Sequence, residues 1–205
     1  MDTKKFVYQL SVVEFVTVSK EFCAFLEVCE KHTIKSFVAA CNKLLPFLYY
    51  KATLLPSTTP VLDERNEQFV TEFDYKTVEN KVEALLGQHN DFLEIHDQRA
   101  EDSYGQFTAS IAEYLADIYQ DLKNLSLRYM TGNSEVMNDA LWECSESFRD
   151  FWGIRTVNLI RAFHILNFGN VELDNVENKS NTSEPDTSEW FITKRQQDID
   201  HTPLE

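Results

Sequence analysis

The sequence predicts an all-α protein, a compact bundle of roughly five to seven helices with no sheet larger than a two-stranded ribbon. Apolar residues recur at spacings of three and four along most of the chain, which is the pattern of one buried helical face. The 205 residues include only 5 glycines and 5 prolines, too few for the many tight turns of an all-β fold. Aromatic residues make up 13% of the chain, enough to fill a sizeable core.

Length and composition divide the chain into a helical domain at residues 1–169 and an acidic tail at residues 170–205. A chain of 205 residues suits one domain with an appendage. After Gly169 the sequence is acidic, rich in Asn, Ser and Thr, and nearly free of aliphatic periodicity. It cannot bury enough apolar surface to offset the entropy lost on ordering, so we expect a flexible, disordered tail.

The net charge of -15 disfavours binding to nucleic acid or to an anionic membrane, because both require a basic surface. No apolar run approaches the roughly 18 residues of a membrane span. Glu14 and Lys20 interrupt the N-terminal segment, which makes it a poor signal peptide. The four cysteines have no metal-ligand spacing and lie in apolar helical runs, so we expect a reduced, cytoplasmic protein.

Two helices are predicted before residue 57. The first runs from about Lys4 to Glu30. Its apolar stripe consists of Ser11, Phe15, Val18, Phe22, Leu26 and Cys29. The second begins at Thr33, which can cap it, and extends to about Leu55. Pro46 lies inside this helix, and we expect a kink or a break there because proline removes one backbone hydrogen bond.

A loop over residues 57–70 precedes the third helix. Thr71 followed by Asp74 predicts a capping box at the start of this helix, and Gly87 ends it. The polar connector that follows carries several metal-ligand residue types. They are His89, Asp91, Glu94, His96, Asp97, Glu101 and Asp102. Their spacing matches no metal motif, so we interpret the connector as a solvated loop and predict no metal site.

The strongest helical pattern lies between Gly105 and Gly132. Its stripe consists of Phe107, Ile111, Leu115, Ile118, Leu122, Leu125 and Tyr129. Glu113, Asp117 and Asp121 follow one another at intervals of four residues, so they stack along one side of the helix. Asp121 lies about 60° from the centre of the stripe and Asp117 about 100°, which places Asp121 at the boundary of the core.

The final helix is predicted to run from Asn133 or Ser134 to about Asn167. Its stripe consists of Leu141, Cys144, Phe148, Trp152, Leu159, Ala162 and Leu166. The second half is apolar nearly all round, which is typical of a central helix. Gly153 lies in the middle, where glycine costs about 1 kcal/mol relative to alanine, so we expect close helix packing at this point.

Arg155 lies on the apolar face of this final helix, about 20° from the centre of the stripe. A guanidinium in that position needs acidic partners or a bound anion. Asp121 is the first choice of partner, with Asp117 and Glu14 as alternatives, because the planar fork of arginine can meet a carboxylate with two hydrogen bonds. The sequence leaves three alternatives, which are a closed ion pair, an accessible binding cleft and an arginine that reaches solvent.

If the cleft exists, its residues come from several helices. The predicted binding residues are Arg155, Asp121, Asp117, Trp152, Glu14 and Tyr119, with Tyr114 as an alternative to Tyr119. The sequence contains no recognisable Gly-rich phosphate loop, HExxH motif, Ser-His-Asp order or nucleophilic Cys-His arrangement. We therefore predict no catalytic residues and no cofactor.

Two segments resemble a family of uncharacterised bacterial all-helical proteins, a domain of unknown function. One is the LADIYQDL motif at residues 115–122, and the other is the FWG motif at residues 151–153. The resemblance covers roughly residues 10–168. It implies a compact all-α fold and a bacterial cytoplasmic protein, and it implies no catalytic residues.

We interpret the chain as a noncatalytic interaction or adaptor module with a protein partner. The tail favours this interpretation, because a short aromatic cluster in a disordered acidic segment often docks on a partner. The cluster consists of Trp190, Phe191 and Ile192.

Two alternatives stay open. The first is an all-α metal-dependent nucleotide hydrolase, in which carboxylates from two helices surround Mg²⁺. Its candidate carboxylates are Glu113, Asp117 and Asp121 on one helix, and Glu27 with Glu30 on another. The second is a small-anion-binding bundle in which Arg155 holds the anion.

Overall fold

A computed structural model describes residues 3–62, 67–94 and 107–173. The described residues form seven α-helical segments and one antiparallel ribbon, which confirms the predicted fold class. The helices are α1 Thr3–Val7, α2 Leu10–Glu27, α3 Ile34–Thr53, α4 Glu72–Leu86, α5 Ile111–Tyr129, α6 Ser134–Ser147 and α7 Gly153–Phe168. The tail cluster Trp190, Phe191 and Ile192 lies outside the described residues, so the predicted tail and its boundary stay predictions.

The core lies around α5 and α7. Helices α2, α4 and α6 pack against α5, and α7 packs against α3 and α5. Phe37 of α3 contacts Phe25 and Phe163, with ring centroids 5.2 and 6.1 Å apart. Trp152 is fully buried and stacks on Phe15 at 6.5 Å. Each such side chain contributes about 1.5–3 kcal/mol through burial, so these rings fix how the helices meet.

The first predicted helix is divided in two. Gln9 has an extended backbone, with φ -62° and ψ 146°, and it separates α1 from α2. The carbonyl of Val7 accepts a hydrogen bond from the hydroxyl of Tyr129 at 2.6 Å. A single helix from Lys4 to Glu30 was therefore the wrong prediction, because a tertiary contact takes up the carbonyl at the end of α1.

Pro46 does not break the second helix. The α-helix α3 continues through it from Ile34 to Thr53, and Thr33 caps its start by accepting a hydrogen bond from the Ser36 amide. Apolar side chains are buried immediately before and after the proline, among them Leu45 and Leu48. Their packing outweighs the one backbone hydrogen bond that proline cannot form.

The capping box of Thr71 and Asp74 is confirmed, with both reciprocal bonds formed. Beyond α4 the chain forms a short 3-10 turn, Gly87–His89, and then the ribbon of β1 Asp91–Glu94 and β2 Phe107–Ser110. Phe107 therefore lies in a strand, and not in the helical stripe as predicted. Helix α5 starts only at Ile111, because the Ser110 side chain caps it.

The final helix contains a π-helical turn, Phe148–Trp152, between α6 and α7. This turn explains Gly153. A Cβ atom at that position would lie 2.3 Å from the carbonyl oxygen of Phe148, much closer than real Cβ atoms approach. The predicted close packing is therefore present, but it lies within the helix's own backbone and not against a neighbouring helix.

All four cysteines are free and buried. Burial raises the pKa of the Cys29 thiol to about 11, so this thiol stays protonated and unreactive at neutral pH. Among the helices that the structure describes, none has both the length and the apolar character that crossing a membrane requires.

Candidate functional site

Arg155 of α7 forms an ion pair with Asp117 of α5. Its Nη1 lies 2.6 Å from Oδ2 of Asp117, and the two side chains are only 22% and 14% exposed. The hydroxyl of Tyr75 in α4 donates to the other carboxylate oxygen at 3.0 Å. The guanidinium also stacks on Tyr114 and Phe151, 4.4 and 4.1 Å from the ring centroids. We call these five residues the arginine cluster.

Opposing effects act on the Asp117 carboxyl. Burial raises its pKa, whereas the Arg155 charge and the Tyr75 hydrogen bond lower it. Arginine stays charged at all ordinary pH values, and both oxygens of Asp117 accept hydrogen bonds, from Arg155 and from Tyr75, which is the geometry of an ionised carboxylate. Burial and the neighbouring carboxylate raise the pKa of Tyr75, which therefore remains a donor. The cluster thus closes an ion pair across three helices.

A second feature lies on the outer side of α7. It is an exposed apolar stripe that continues from the π-helical turn to the end of the helix. Its members, which we call the α7 stripe, are Phe151, Ile154, Val157, Arg161, Ile165 and Phe168. The apolar members are between 41% and 64% exposed. Phe151 belongs to both features, so the arginine cluster lies at one end of the stripe.

The α7 stripe corrects the prediction of a central helix that is buried all round. The opposite face of α7 is buried, through Leu159, Ala162 and Phe163, whereas the apolar members of the stripe stay exposed and β1 reaches the stripe at Arg161. No Asp or Glu occurs between Phe151 and Gly169 in a chain with a net charge of -15. An exposed apolar face of this kind is a candidate contact surface.

A family model described as a domain of unknown function, DUF5063, matches residues 6–169. The chain belongs to the DUF5063 family. It is also similar to a solved structure, the crystal structure of protein BF1032 from Bacteroides fragilis, a structural genomics target. The identity is 38%, the TM-score is 0.73, and the match covers 82% of this chain and 98% of that one. No curated protein matches the chain.

Two acids that were expected to face Arg155 have other partners in this DUF5063 chain. Asp121, the first choice, accepts a hydrogen bond from Ser147 of α6. Glu14 pairs with Lys51 of α3 at 2.8 Å. Arg155 of α7 instead reaches Asp117, one turn before Asp121 on α5. The sequence predicts where a residue lies around its own helix. It does not predict which turn of that helix a second helix contacts.

Two further predicted binding residues also lie outside the arginine cluster. The hydroxyl of Tyr119 donates to Glu27 at 2.9 Å. The indole of Trp152 is fully buried and donates to the carbonyl of Cys144 at 3.2 Å. Of the predicted binding residues, the structure therefore brings together Arg155, Asp117 and Tyr114, the alternative to Tyr119.

The carboxylates of the hydrolase alternative are dispersed. Glu27 pairs with Lys123 at 2.6 Å, and Glu30 pairs with Lys81 at 3.1 Å. Glu113 is exposed at the start of α5. Within residues 3–62, 67–94 and 107–173, no group of three or more His, Cys, Asp or Glu side chains could hold a metal ion.

Sequence reasoning missed Arg128, the most deeply buried of the described arginines. Its side chain is only 3% exposed. It donates from Nε to the carbonyl of Glu67 at 2.8 Å and pairs through Nη1 with Glu143, while Nη2 has no hydrogen-bond partner among the described residues. A signal was available, because Arg128 follows Asp121 by seven residues and therefore lies on the same side of α5.

Other buried polar side chains hold the segment before α4 against the bundle. Asn124 of α5 accepts hydrogen bonds from the amides of residues 69–70, at 2.8 and 3.0 Å. Asp139 of α6 accepts from the amides of residues 61–62, both at 2.8 Å. These residues satisfy backbone groups that would otherwise be buried without a partner. Nothing in the sequence pattern indicates which helix a loop crosses.

A surface pocket of about 250 Å³ lies beside this segment. It is lined by Thr3, Phe6, Ser57, Thr58, Thr59, Val61 and Asn138. Its main polar group is already engaged. Asn138 accepts a hydrogen bond from Thr58 at 2.6 Å and donates to the carbonyl of Thr59 at 2.8 Å. The Asn138 amide therefore holds residues 58–59 in place.

Proposed function

We propose that the chain is a noncatalytic protein-interaction module and that its docking surface is the α7 stripe. The occupant is a helical segment of a second protein. The observation that carries the proposal is the stripe itself, an exposed apolar face without carboxylates on an otherwise acidic protein. The closed ion pair of the arginine cluster contributes a rigid support beneath one end of this surface.

The geometry of the stripe favours a helix as the occupant. Helix α7 has 16 residues and is therefore about 24 Å long. The stripe residues are spaced by three and four, so they form ridges into which a second helix can pack. A partner helix of about four to five turns would cover them through its own apolar face.

We place this module in the bacterial cytoplasm. Four free, buried cysteines and an acidic composition support that setting. The net charge of -15 supports a protein partner over nucleic acid or an anionic membrane. We also propose the tail cluster Trp190, Phe191 and Ile192 as a second contact with a partner, because large apolar side chains in an acidic segment suit docking.

Site-specific photo-crosslinking in the cells that produce the protein tests the proposal. A photoreactive amino acid is placed at Val157 or Ile165 in the stripe, and at Lys20 on α2 as the matched exposed control. We expect both stripe positions to crosslink to the same segment of one partner protein, identified by mass spectrometry, and Lys20 not to do so. Crosslinks that are identical from all three positions, or absent from the stripe, would refute the docking surface.

A further inference from the structure

Arg161 occupies the centre of the α7 stripe. At 100° per residue, Ile154 and Phe168 lie about 20° from it around the helix, on opposite sides. Val157 and Ile165 lie about 40° from it, again on opposite sides. The surface therefore presents Arg161 among apolar side chains, with the exposed His164 about 60° from it beside Phe168. A docked helix must cover that cation together with its apolar neighbours.

Among the described residues, no carboxylate forms an ion pair with Arg161, and Glu94, which follows Leu93 in β1, accepts a hydrogen bond from Asn158 instead. The other three described arginines each pair with an acid, because Arg128 pairs with Glu143, Arg149 with Glu146 and Arg155 with Asp117. By contrast, Arg161 donates only to a backbone carbonyl, that of Leu93, at 2.8 Å. This hydrogen bond holds the guanidinium beside the stripe without cancelling its charge.

We infer that the partner is an acidic amphipathic helix, with an apolar stripe and an Asp or Glu in its middle that pairs with Arg161. This inference rests on the proposed docking function. Covering Arg161 with a purely apolar helix would remove its charge from water with only the hydrogen bond to the Leu93 carbonyl as compensation. A second copy of this chain is a poorer occupant, because an antiparallel pairing of two α7 helices would bring both Arg161 side chains near the twofold axis.

Three synthetic helical peptides, matched to α7 in length, test the inference by fluorescence anisotropy with the full chain. All carry leucine at their stripe positions, and they differ only in a central Glu, Gln or Lys. We expect the Glu peptide to bind about fivefold or more tightly than the Lys peptide, with a preference that salt weakens. Arg161→Gln should remove that preference, and Ile154→Asp should weaken the binding of all three peptides.

The outcomes separate the inference from the proposed function. If the three peptides bind with equal affinity and Ile154→Asp abolishes their binding, the acidic partner is overturned and the docking surface stays in place. If Ile154→Asp leaves the peptide affinities unchanged, or if no peptide binds, the inference is overturned at this surface. A dimer of the purified protein that Ile154→Asp dissociates would show that a second copy is the occupant. Phe168→Ser replaces Ile154→Asp if that variant fails to fold by circular dichroism.

Discussion

Arg155 and Asp117 join α7 to α5 through an ion pair of 2.6 Å at the end of the exposed α7 stripe. The rings of Tyr114 and Phe151 enclose the guanidinium, so the pair is held in one geometry. Because Phe151 is also part of the stripe, the ion pair positions the end of the surface that we assign to partner binding. In the proposed docking function, the arginine cluster therefore supports one end of the surface.

Removing one partner of this pair should destabilise the protein. We expect Arg155→Met to lower the free energy of unfolding by about 2–4 kcal/mol, because it leaves the half-buried Asp117 carboxylate without its cation. Urea unfolding followed by circular dichroism measures the change. The double variant with Asp117→Asn should lose less than the sum of the two single losses. Strict additivity would mean that the two side chains do not interact.

Gly153→Ala should destabilise the π-helical turn. Alanine normally gains about 1 kcal/mol over glycine within a helix. Here its Cβ would lie 2.3 Å from the carbonyl oxygen of Phe148, so we expect a net loss of about 1–3 kcal/mol. Ser145→Ala, in the preceding helix α6, is the matched control and should change stability by no more than about 0.5 kcal/mol. A more stable Gly153→Ala variant would show that the turn relaxes to a regular α-helix.

Asn124→Ala should release the segment that precedes α4. It leaves the amides of residues 69–70 without their acceptor, which should cost about 1–3 kcal/mol. Hydrogen exchange of those two amides should become faster. Gln68→Ala removes only an exposed side-chain hydrogen bond to Glu143 and serves as the control. If both variants exchange alike, Asn124 does not hold the segment.

Asp121 should make stability depend on pH. Burial raises the pKa of its carboxyl in the folded protein, although the Ser147 hydrogen bond opposes this. Between the ordinary aspartate pKa of about 3.9 and the raised value, the folded state binds more protons than the unfolded state. Stability from this group is therefore highest at low pH and is lost as the pH rises through the folded pKa. Asp121→Asn should flatten this dependence in urea titrations, and an unchanged profile would contradict it.

Local patterns were predictable from sequence. The capping box of Thr71 and Asp74 involves residues three apart, so the sequence alone determines it. The angular position of Arg155 on the final helix predicted that it needs an acidic partner. The sequence did not predict that the partner is Asp117 and not Asp121, because that depends on which turn of α5 lies next to Arg155. The π-helical turn beside Gly153 also escaped prediction, because a 3.6-residue period cannot reveal one wider turn.

The exposed α7 stripe could not have been predicted either. Ile154 and Phe168 resemble core residues in the sequence. An apolar residue type does not show whether its side chain is covered by its own fold or by a partner. Only the packing of α3 and α5 against the other face of α7 shows which side stays open.

The equilibrium affinity of the partner segment tests the central claim most directly. The segment recovered by crosslinking is synthesised as a labelled peptide and titrated with the full chain, with Ile154→Asp and with the control Lys20→Asp. The docking surface predicts saturable binding that Ile154→Asp weakens at least about tenfold and that Lys20→Asp leaves unchanged. Equal affinity for Ile154→Asp and the unaltered chain, with both proteins folded, would contradict it.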